Sequence, residues 1–488
     1  MKKLLVRIVM VLVMLVVLNW VYSKWFFEKD LRKHSDIVEL SWQVVEDSCR
    51  IIYLGESSNN NYGMEEVSHR KISDFTADYF PTVKMGDLTK AASHAQTYYY
   101  MLKHIPATSN VETVVVTMNL RSFGPSWIYS KLETALRKQL VLLEDNPPLV
   151  NRFMLAYKAY PIKTEQEWVD LIYWHRRHDP LNFPYDFPFD NNYAWDSAVG
   201  WNGLRDVEGR RDQEMTELAC HYIKGYGFSI ADDNVRLKDF DDIVALCRER
   251  GWNLVFNLMA ENVDKAHELV GDDLLFLIKR NRDYLLHRYE NMEGVTVVNN
   301  LSLVRDVNFI DQNWTTEHYY EEGRRMVAEH VAQCLKEYYP DDYQPIEIKA
   351  DTGHYRFAGH ERTLKCQYPY SKAVVLTADS IRPNWEMVNV AFMMKQSDSL
   401  HQTKLVIEKR DAQGQATFES YSTWPQNSTL GQWEFVTFAV PLDSDFHQSQ
   451  QIKIYVANPS ESAVQIKDLD VSFRPDYLVP YVKAKSGR

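Results

Sequence analysis

The chain has 488 residues, of which 45% are hydrophobic and 25% are charged, a balance that is typical of globular domains and excludes a largely disordered chain. Its length allows more than one domain with a substantial core. Its net charge of -12 offers no basic surface for phosphates and argues against a nucleic-acid partner.

The N-terminus carries an apolar stretch, Leu4–Tyr22, that follows the basic leader Met1-Lys2-Lys3. About 20 apolar residues can cross a bilayer, and a basic leader favours the cytoplasmic side. A cleaved signal peptide is the alternative, but no A-x-A-like site follows the stretch. We therefore predict a cytoplasmic tip and transmembrane helix over residues 1–23 and a linker over residues 24–48. The bulk of the chain is then periplasmic or at the cell surface.

Residues 49–340 alternate short β-rich runs with helical patterns, which is typical of a parallel α/β domain. The predicted strands are Ile51–Leu54, Thr82–Met85, Thr113–Thr117, Asn253–Met259 and Val295–Val298. Apolar stripes at helical spacing lie between these runs and after the last one. The pattern predicts a flavodoxin-like, doubly wound, five-stranded parallel sheet, in which ligands bind beyond the carboxyl ends of the strands.

A long insertion, about residues 125–235, separates the third and fourth predicted strands and exceeds a plain crossover connection. Its tryptophans are Trp127, Trp168, Trp174, Trp195 and Trp201. Such an insertion either shapes the substrate site or forms a small helical subdomain with tryptophans in its core. No periodicity separates the two interpretations.

The pattern changes after the linker near residue 340, and residues 346–475 predict a jelly-roll-like β-sandwich followed by a tail over 476–488. The predicted strands are Val388–Met394, Lys404–Lys409, Trp433–Val440, Gln451–Val456 and Val464–Phe473. The run around Gly431-Gln432-Trp433 is similar to carbohydrate-binding jelly rolls. The tryptophans of this region could equally be core residues; they are Trp385, Trp424 and Trp433.

Polar residues follow three of the predicted parallel strands. Gly55-Glu56-Ser57 follows the first, Asn119 follows the third, and His318 lies between the fifth strand and the closing helix. A serine at a sharp strand-to-helix turn can act as a nucleophile, an amide can donate to an oxyanion, and a histidine can act as a base. Singly, the serine could be a helix cap and the histidine a surface residue. Together they predict a site at one sheet edge.

The order and spacing of these motifs resemble the SGNH (GDSL) hydrolase superfamily over about residues 50–338. The resemblance implies an SGNH-type α/β fold, with Ser57 as the nucleophile and His318 as the base. It also implies an oxyanion hole built from backbone N–H groups and Asn119. A serine esterase of this kind needs no metal or organic cofactor, and the five cysteines show no zinc-binding spacing.

The chain departs from the superfamily pattern near the oxyanion hole. Glu56 stands where the first motif usually has Asp, and the glycine of the second motif is not evident. Ala92 or Ser93 is expected to supply its backbone N–H. Gly55 and Arg121, at the ends of the first and third strands, complete the expected oxyanion and substrate-binding residues.

The catalytic acid also departs from the pattern, because Thr315 stands three residues before His318, where the superfamily has its acid. Asp311 and Glu317 are the candidates to replace it. Asp311 is preferred, because a side chain at the preceding position tends to point away from the histidine. A Ser-His dyad assisted by a backbone carbonyl is the alternative.

One N-terminal anchor with an outward domain resembles the DltD-type and alginate-acetylation (AlgJ/AlgX-like) branch, as does the stretch Leu237–Asn262. The resemblance implies a serine esterase or O-acyltransferase that acts on acyl groups of a cell-envelope or secreted polysaccharide or on another ester. A multi-spanning membrane O-acyltransferase is then the expected partner. The alternative is a non-catalytic glycan-binding or envelope-assembly protein that retains the fold. A lipase is less favoured, because no broad apolar lid is evident.

Overall fold

The structure is a computed structural model that describes residues 2–63, 69–160, 164–206, 208–347, 353–383, 385, 387–398, 400–423, 430–474 and 482–483. The chain forms two compact units. The first contains Met1–Asn59, Thr82–Leu258 and Tyr284–Val297, and the second contains Asn60–Pro81, Met259–Asp283 and Val298–Arg488. The domain boundaries at 49–340 and 346–475 stay a prediction.

The helices, numbered in chain order, have the following bounds. They are α1 Lys2–Trp25, α2 Phe27–His34, α3 Asp36–Glu46, α4 Ser57–Asn60, α5 Ile72–Ala77, α6 Ala95–Lys103, α7 Pro125–Ile128, α8 Lys131–Leu143, α9 Pro148–Ala156, α10 Glu165–His178, α11 Asn192–Asn202, α12 Gln213–Tyr226, α13 Val235–Arg250, α14 Val263–Val270, α15 Asp272–Tyr289, α16 Glu321–Leu335 and α17 Ser444–Gln448.

The strands are numbered in the same way. They are β1 Ile51–Gly55, β2 Met85–Thr89, β3 Thr113–Met118, β4 Leu204–Arg205, β5 Arg211–Asp212, β6 Asn253–Leu258, β7 Val295–Asn299, β8 Ile346–Glu347, β9 His354–Phe357, β10 Arg362–Leu364, β11 Val374–Thr377, β12 Met387–Gln396, β13 Lys404–Arg410, β14 Ala416–Ser422, β15 Glu434–Pro441, β16 Gln451–Ala457, β17 Val464–Arg474 and β18 Val482–Lys483.

The apolar N-terminal stretch forms α1, a helix of 24 residues without buried residues, and its most apolar 18-residue window has a mean hydropathy of 2.7. At 1.5 Å per residue it is about 36 Å long, enough to cross the hydrocarbon core of a bilayer. Among the described helices it is the one long and apolar enough for this. The predicted N-terminal apolar helix is therefore confirmed.

A five-stranded parallel sheet has the order β2-β1-β3-β6-β7. Every residue of β1 and β3 is buried, because these strands have neighbours on both sides and helices pack nearby. The edge strands β2 and β7 are only partly buried. The predicted parallel α/β sheet with helices is therefore confirmed.

The position of the second strand was predicted wrongly. The prediction was Thr82–Met85, whereas β2 spans Met85–Thr89 and pairs Gly86 with Ile52. As an edge strand it buries only alternate residues, Gly86 and Leu88, so it lacks the continuous apolar run that marks central strands.

Helix α13 shows how local signals delimit an element of the first unit. The Asn234 side chain accepts a hydrogen bond from the N–H of Arg236 at 2.9 Å and so caps the helix start. Gly251 ends the helix with φ +69°, a left-handed conformation that glycine adopts without steric cost. Between these residues lies the predicted apolar stripe, and α13 packs on α6.

The insertion consists mainly of helices, α7–α12, with the short hairpin β4–β5. Trp168 and Trp195 are buried, whereas Trp174 and Trp201 are 53% and 84% exposed. Trp127 is half-buried. Two of the five tryptophans therefore serve as core residues, and two face solvent.

The described residues of the C-terminal region form two larger antiparallel sheets, one with the order β10-β17-β12-β15 and β9 paired to β17, the other with the order β11-β16-β13-β14. The short strands β8 and β18 pair separately. Buried side chains of both sheets belong to one hydrophobic cluster that includes Trp385 and Phe438. The antiparallel C-terminal sheets are thus confirmed. Trp424 and the predicted tail, except β18, lie outside the described residues.

Candidate functional site

Ser57 is the first residue of α4 and lies two positions beyond the buried strand β1. Its hydroxyl is half-buried and donates a hydrogen bond to Glu56 Oε2 at 2.8 Å. The Glu56 carbonyl accepts from the Asn59 N–H at 3.1 Å, which closes the turn. The serine therefore occupies a sharp strand-to-helix turn, as its motif predicts.

The atoms around this turn leave no room for a side chain at Gly55. A Cβ at residue 55 would lie 2.7 Å from Asn59 Cβ and 2.8 Å from Thr89 Oγ1. Asn59 itself is fixed by hydrogen bonds from its Nδ2 to Asp87 Oδ1 and Thr89 Oγ1. The side chains of β2 therefore hold the turn that carries Ser57, and glycine permits their close approach.

Asn119 directly follows β3, the other neighbour of β1. Its carbonyl accepts hydrogen bonds from the N–H and the hydroxyl of Ser122, at 3.1 and 2.6 Å. Its side chain is buried, and its Oδ1 has no hydrogen-bond partner among the described residues. The backbone is thus held, while the carboxamide oxygen remains unsatisfied, an arrangement common at functional sites.

The segment after β2 distinguishes the two candidates for the second oxyanion N–H. Ser93 donates its N–H to the Lys90 carbonyl at 3.2 Å, so the turn already uses that group. Ala92 has φ +59°, a left-handed conformation that costs a non-glycine residue about 1 kcal/mol. No described hydrogen bond uses the Ala92 N–H. The geometry therefore favours Ala92 over Ser93 as the donor.

Ala92 adopts a backbone conformation that glycine adopts more readily. Glycine adopts a positive φ readily, and here an alanine adopts it at the position where the motif was expected. Lys90 donates its N–H to the Gly55 carbonyl at 3.1 Å, which ties this segment to the end of β1. Ser57, Ala92 and Asn119 therefore all follow the carboxyl ends of three adjacent strands of the first unit.

Arg121 is buried, and its guanidinium carbon lies 5.0 Å from the centre of the Trp127 ring. In the segment after β2, burial lowers the pKa of the His94 imidazole well below its usual range, so His94 is neutral. Glu133 Oε2 lies 3.6 Å from His94 Nε2. Arg121 itself packs on the Trp127 ring.

Asp311 and His318 are brought together in the second unit. His318 Nδ1 lies 2.7 Å from Asp311 Oδ2, and both side chains are partly exposed. Phe309 and Tyr319 form an antiparallel bridge, and Ile310 donates its N–H to the His318 carbonyl at 2.9 Å. The segment therefore folds back on itself and places Asp311 beside the imidazole.

This pairing sets the tautomer of His318. A carboxylate accepts hydrogen bonds, so the Nδ1 atom carries the proton and Nε2 keeps a lone pair. Thr316 donates its hydroxyl to the same oxygen, Asp311 Oδ2, at 2.5 Å and helps to orient the carboxylate. The pair has the arrangement of a general base with its orienting acid.

Sequence reasoning missed Asn61, whose Nδ2 lies 2.9 Å from His318 Nε2. The two residues are 257 positions apart, and an asparagine in an Asn-rich turn gives no local signal of this contact. The other candidate acid, Glu317, is buried, as is Thr315. No described group of three or more His, Cys, Asp or Glu residues is arranged to hold a metal ion.

Comparisons with known proteins give no family. No protein-family model matches the chain, and no curated protein matches it. Among solved structures, the chain is similar to a candidate platelet activating factor from Streptococcus pneumonia, with 9% identity, 67% of this chain and 98% of that chain covered, and a TM-score of 0.28.

Two further similar structures contain CBM22 domains. One is a Clostridium thermocellum endo-1,4-β-D-xylanase complexed with xylohexaose, with 11% identity, 25% of this chain and 26% of that chain covered, and a TM-score of 0.18. Another is the CBM22-1 domain of Paenibacillus barcinonensis Xyn10C, with 13% identity, 25% and 85% covered, and a TM-score of 0.16. At these TM-scores, none of the likenesses carries an argument about this chain.

Proposed function

We propose that the protein is an SGNH-type serine esterase or O-acyltransferase that acts, outside the cytoplasm, on acyl groups of a cell-envelope or secreted polysaccharide. The observation that carries the proposal is the 2.7 Å hydrogen bond between His318 Nδ1 and Asp311 Oδ2. It supports an imidazole that is oriented by a carboxylate at Nδ1 and directs Nε2 to accept a proton from a serine nucleophile.

The proposed reaction has two steps. Ser57 Oγ attacks the ester carbonyl carbon while its proton passes to His318 Nε2, and the carbonyl oxygen becomes an oxyanion held by the N–H groups of Ser57 and Ala92 and by Asn119. Collapse of the intermediate expels the alcohol, which takes the proton from His318, and leaves an acyl-serine. Water or a sugar hydroxyl then attacks this ester with the same base, giving hydrolysis or transfer.

The fold and the anchor support the same proposal. The strand order of the parallel sheet is that of flavodoxin-like doubly wound sheets, in which ligands bind beyond the carboxyl ends of the strands. The exposed apolar helix α1 would keep the enzyme at the membrane. There a multi-spanning O-acyltransferase could supply acyl groups, as in the DltD-like and AlgJ-like branch.

Covalent labelling tests the proposal. A fluorophosphonate probe forms a bond to an activated serine, so we expect it to label the detergent-solubilised full-length protein and to be blocked by the Ser57→Ala substitution. Labelled peptides identified by mass spectrometry should contain Ser57. A wild-type protein that stays unlabelled while a commercial serine esterase reacts would exclude the proposed mechanism.

A second candidate function is non-catalytic glycan binding or envelope assembly. One observation favours it: Tyr370 is 56% exposed, and its ring centre lies 5.5 Å from that of Tyr455 on β16. An exposed aromatic ring that is supported by a second ring suits the apolar face of a sugar. Glycan-array binding that persists in Ser57→Ala and His318→Ala variants, together with absent fluorophosphonate labelling, would support this function instead.

Asp311→Asn is expected to lower the turnover of p-nitrophenyl acetate by about 10²- to 10⁴-fold, because asparagine no longer stabilises the imidazolium formed when His318 takes a proton. Glu317→Gln is the matched control, since it makes the same chemical change six positions later, at the other candidate acid. It should keep turnover within about threefold of wild type. Equal losses in both variants would contradict Asp311 as the acid.

A further inference from the structure

Both ring nitrogens of His318 are engaged within the second unit. Nδ1 faces Asp311 at 2.7 Å, and Nε2 lies 2.9 Å from Asn61 Nδ2. Because Nδ1 carries the proton, Nε2 is the acceptor, and the amide of Asn61 is the donor. The imidazole is therefore held from both sides in one orientation.

The backbone of Asn61 is fixed by a fully buried arginine. Arg324 donates to the carbonyls of Asn61, Arg70 and Tyr319, at 3.2, 3.0 and 2.6 Å. Tyr319 is the residue after His318, so one guanidinium fixes the two segments that carry the asparagine and the histidine. Hydrogen bonds from a charged donor are stronger than neutral ones, which makes this arrangement rigid.

The contact concerns the lone pair that the proposed reaction uses. An imidazole Nε2 has a single lone pair and accepts one strong hydrogen bond. A serine hydroxyl that transfers its proton to this atom must take the place of any other donor there. The Asn61 amide and the nucleophile are therefore competitors for the same atom.

We propose that Asn61 restrains the general base by occupying its lone pair in the resting protein. Its amide holds the His318 ring with Nε2 as the acceptor in the resting protein, and it gives up this lone pair when the Ser57 hydroxyl is deprotonated. The inference rests on the proposed function and adds to it a residue that sets the reactivity of the base. Asn61 takes part in no bond making or breaking.

Two substitutions at residue 61 should act in opposite directions. Asn61→Ala removes the competing donor, and we expect fluorophosphonate to react about 2- to 10-fold faster, the range that one hydrogen bond accounts for. Asn61→Asp places a second carboxylate beside the ring and favours the imidazolium, which cannot accept a proton. Its reaction should be slower at neutral pH, and the pH of half-maximal rate should rise by about 1 to 2 units.

The controls separate this inference from a structural role and from the proposed function. Asn60→Ala, a change of the same size one residue earlier, should react at the wild-type rate. The inference would be overturned if both residue-61 variants reacted more slowly than wild type, or if Asn61→Ala reacted at the wild-type rate. In either case, labelling that depends on Ser57 would still support the proposed function. Absence of labelling in wild type and Asn61→Ala alike would instead reject the proposed function.

A spectroscopic measurement decides the contact without any reaction. In full-length protein labelled with ¹⁵N-histidine, the Nε2 resonance of His318, assigned with a His318→Gln variant, should be that of an unprotonated, hydrogen-bonded nitrogen. In Asn61→Ala, its chemical shift should move toward the value of an unprotonated nitrogen that accepts no hydrogen bond. In Asn60→Ala, the chemical shift should be unchanged. An Nε2 that carries the proton in wild type would contradict the proposed role of Asn61.

Discussion

Ser57→Ala is expected to lower kcat/KM for p-nitrophenyl acetate by at least about 10³-fold in the full-length protein in detergent. The hydroxyl is the proposed nucleophile, and without it no acyl-serine can form, so only binding and the oxyanion donors remain to assist water. The half-buried hydroxyl now donates to Glu56 Oε2, and alanine leaves that carboxylate with one fewer donor. Circular dichroism and the melting temperature should show that the variant stays folded.

The neighbouring serine provides a matched control for this prediction. Ser58 is fully buried, and its hydroxyl has no hydrogen-bond partner among the described residues. Ser58→Ala therefore removes an unsatisfied polar atom and should change turnover by less than about threefold. Turnover lost equally in both variants would indicate damage to the turn rather than loss of a nucleophile.

A double variant tests whether Ser57 and His318 act as one unit. Residues that act together in catalysis give strongly non-additive losses, because removing either one abolishes the shared step. We therefore expect the turnover of Ser57→Ala/His318→Ala to equal that of Ser57→Ala within about threefold. Losses that multiply would show that the two residues serve independent steps.

The central strands of the parallel sheet were predictable because burial on both faces leaves a continuous apolar run. The residues of β1 and β3 are buried throughout, and the predicted bounds differ from the observed ones by one residue at most. Edge strands carry a weaker signal. The second predicted strand was misplaced toward Thr82. Strand β14 was not predicted; it is largely exposed and, among the described strands, pairs with β13 alone.

The candidate site was predictable where it depends on the ends of strands. A parallel sheet brings the carboxyl ends of its strands to one edge, so Ser57 and Asn119 could be grouped from the sequence. The choice of Asp311 over Glu317 followed from the direction of neighbouring side chains. In the structure the antiparallel bridge between Phe309 and Tyr319 brings Asp311 to the histidine.

The rest of the site depends on contacts that no local pattern records. The left-handed conformation of Ala92 could not be expected, because alanine rarely adopts it and the local residues form no recognisable turn motif. The contact between Asn61 and His318 joins segments 257 positions apart, and buried Arg324 maintains it through backbone carbonyls. Every residue has a backbone carbonyl, whatever its side chain. Contacts to backbone carbonyls therefore cannot be predicted from the pattern of residue types.

Trp385→Ala is expected to destabilise the C-terminal sheets by about 3–5 kcal/mol, the usual cost of truncating a buried aromatic side chain. The indole is 1% exposed and stacks on Phe473, with ring centres 4.3 Å apart at 14°. Gly353 lies so close that a Cβ there would be 2.6 Å from Trp385 Cζ2. Thermal unfolding of the full-length protein, followed by near-ultraviolet circular dichroism, should show one transition at a lower temperature.

The same substitution decides between the two interpretations of the tryptophans in this region. A side chain buried in the hydrophobic cluster cannot stack on a sugar. We therefore expect Trp385→Ala to lose glycan binding only under conditions in which the C-terminal sheets are unfolded. The Nε1 atom of Trp385 has no described partner, so Trp385→Phe should be milder than the alanine change. Trp433, half-buried under Lys467 Nζ at 4.3 Å, is the control, and its replacement by alanine should cost about 1 kcal/mol. A folded Trp385→Ala variant that selectively loses glycan binding would assign the indole to the ligand instead of the core.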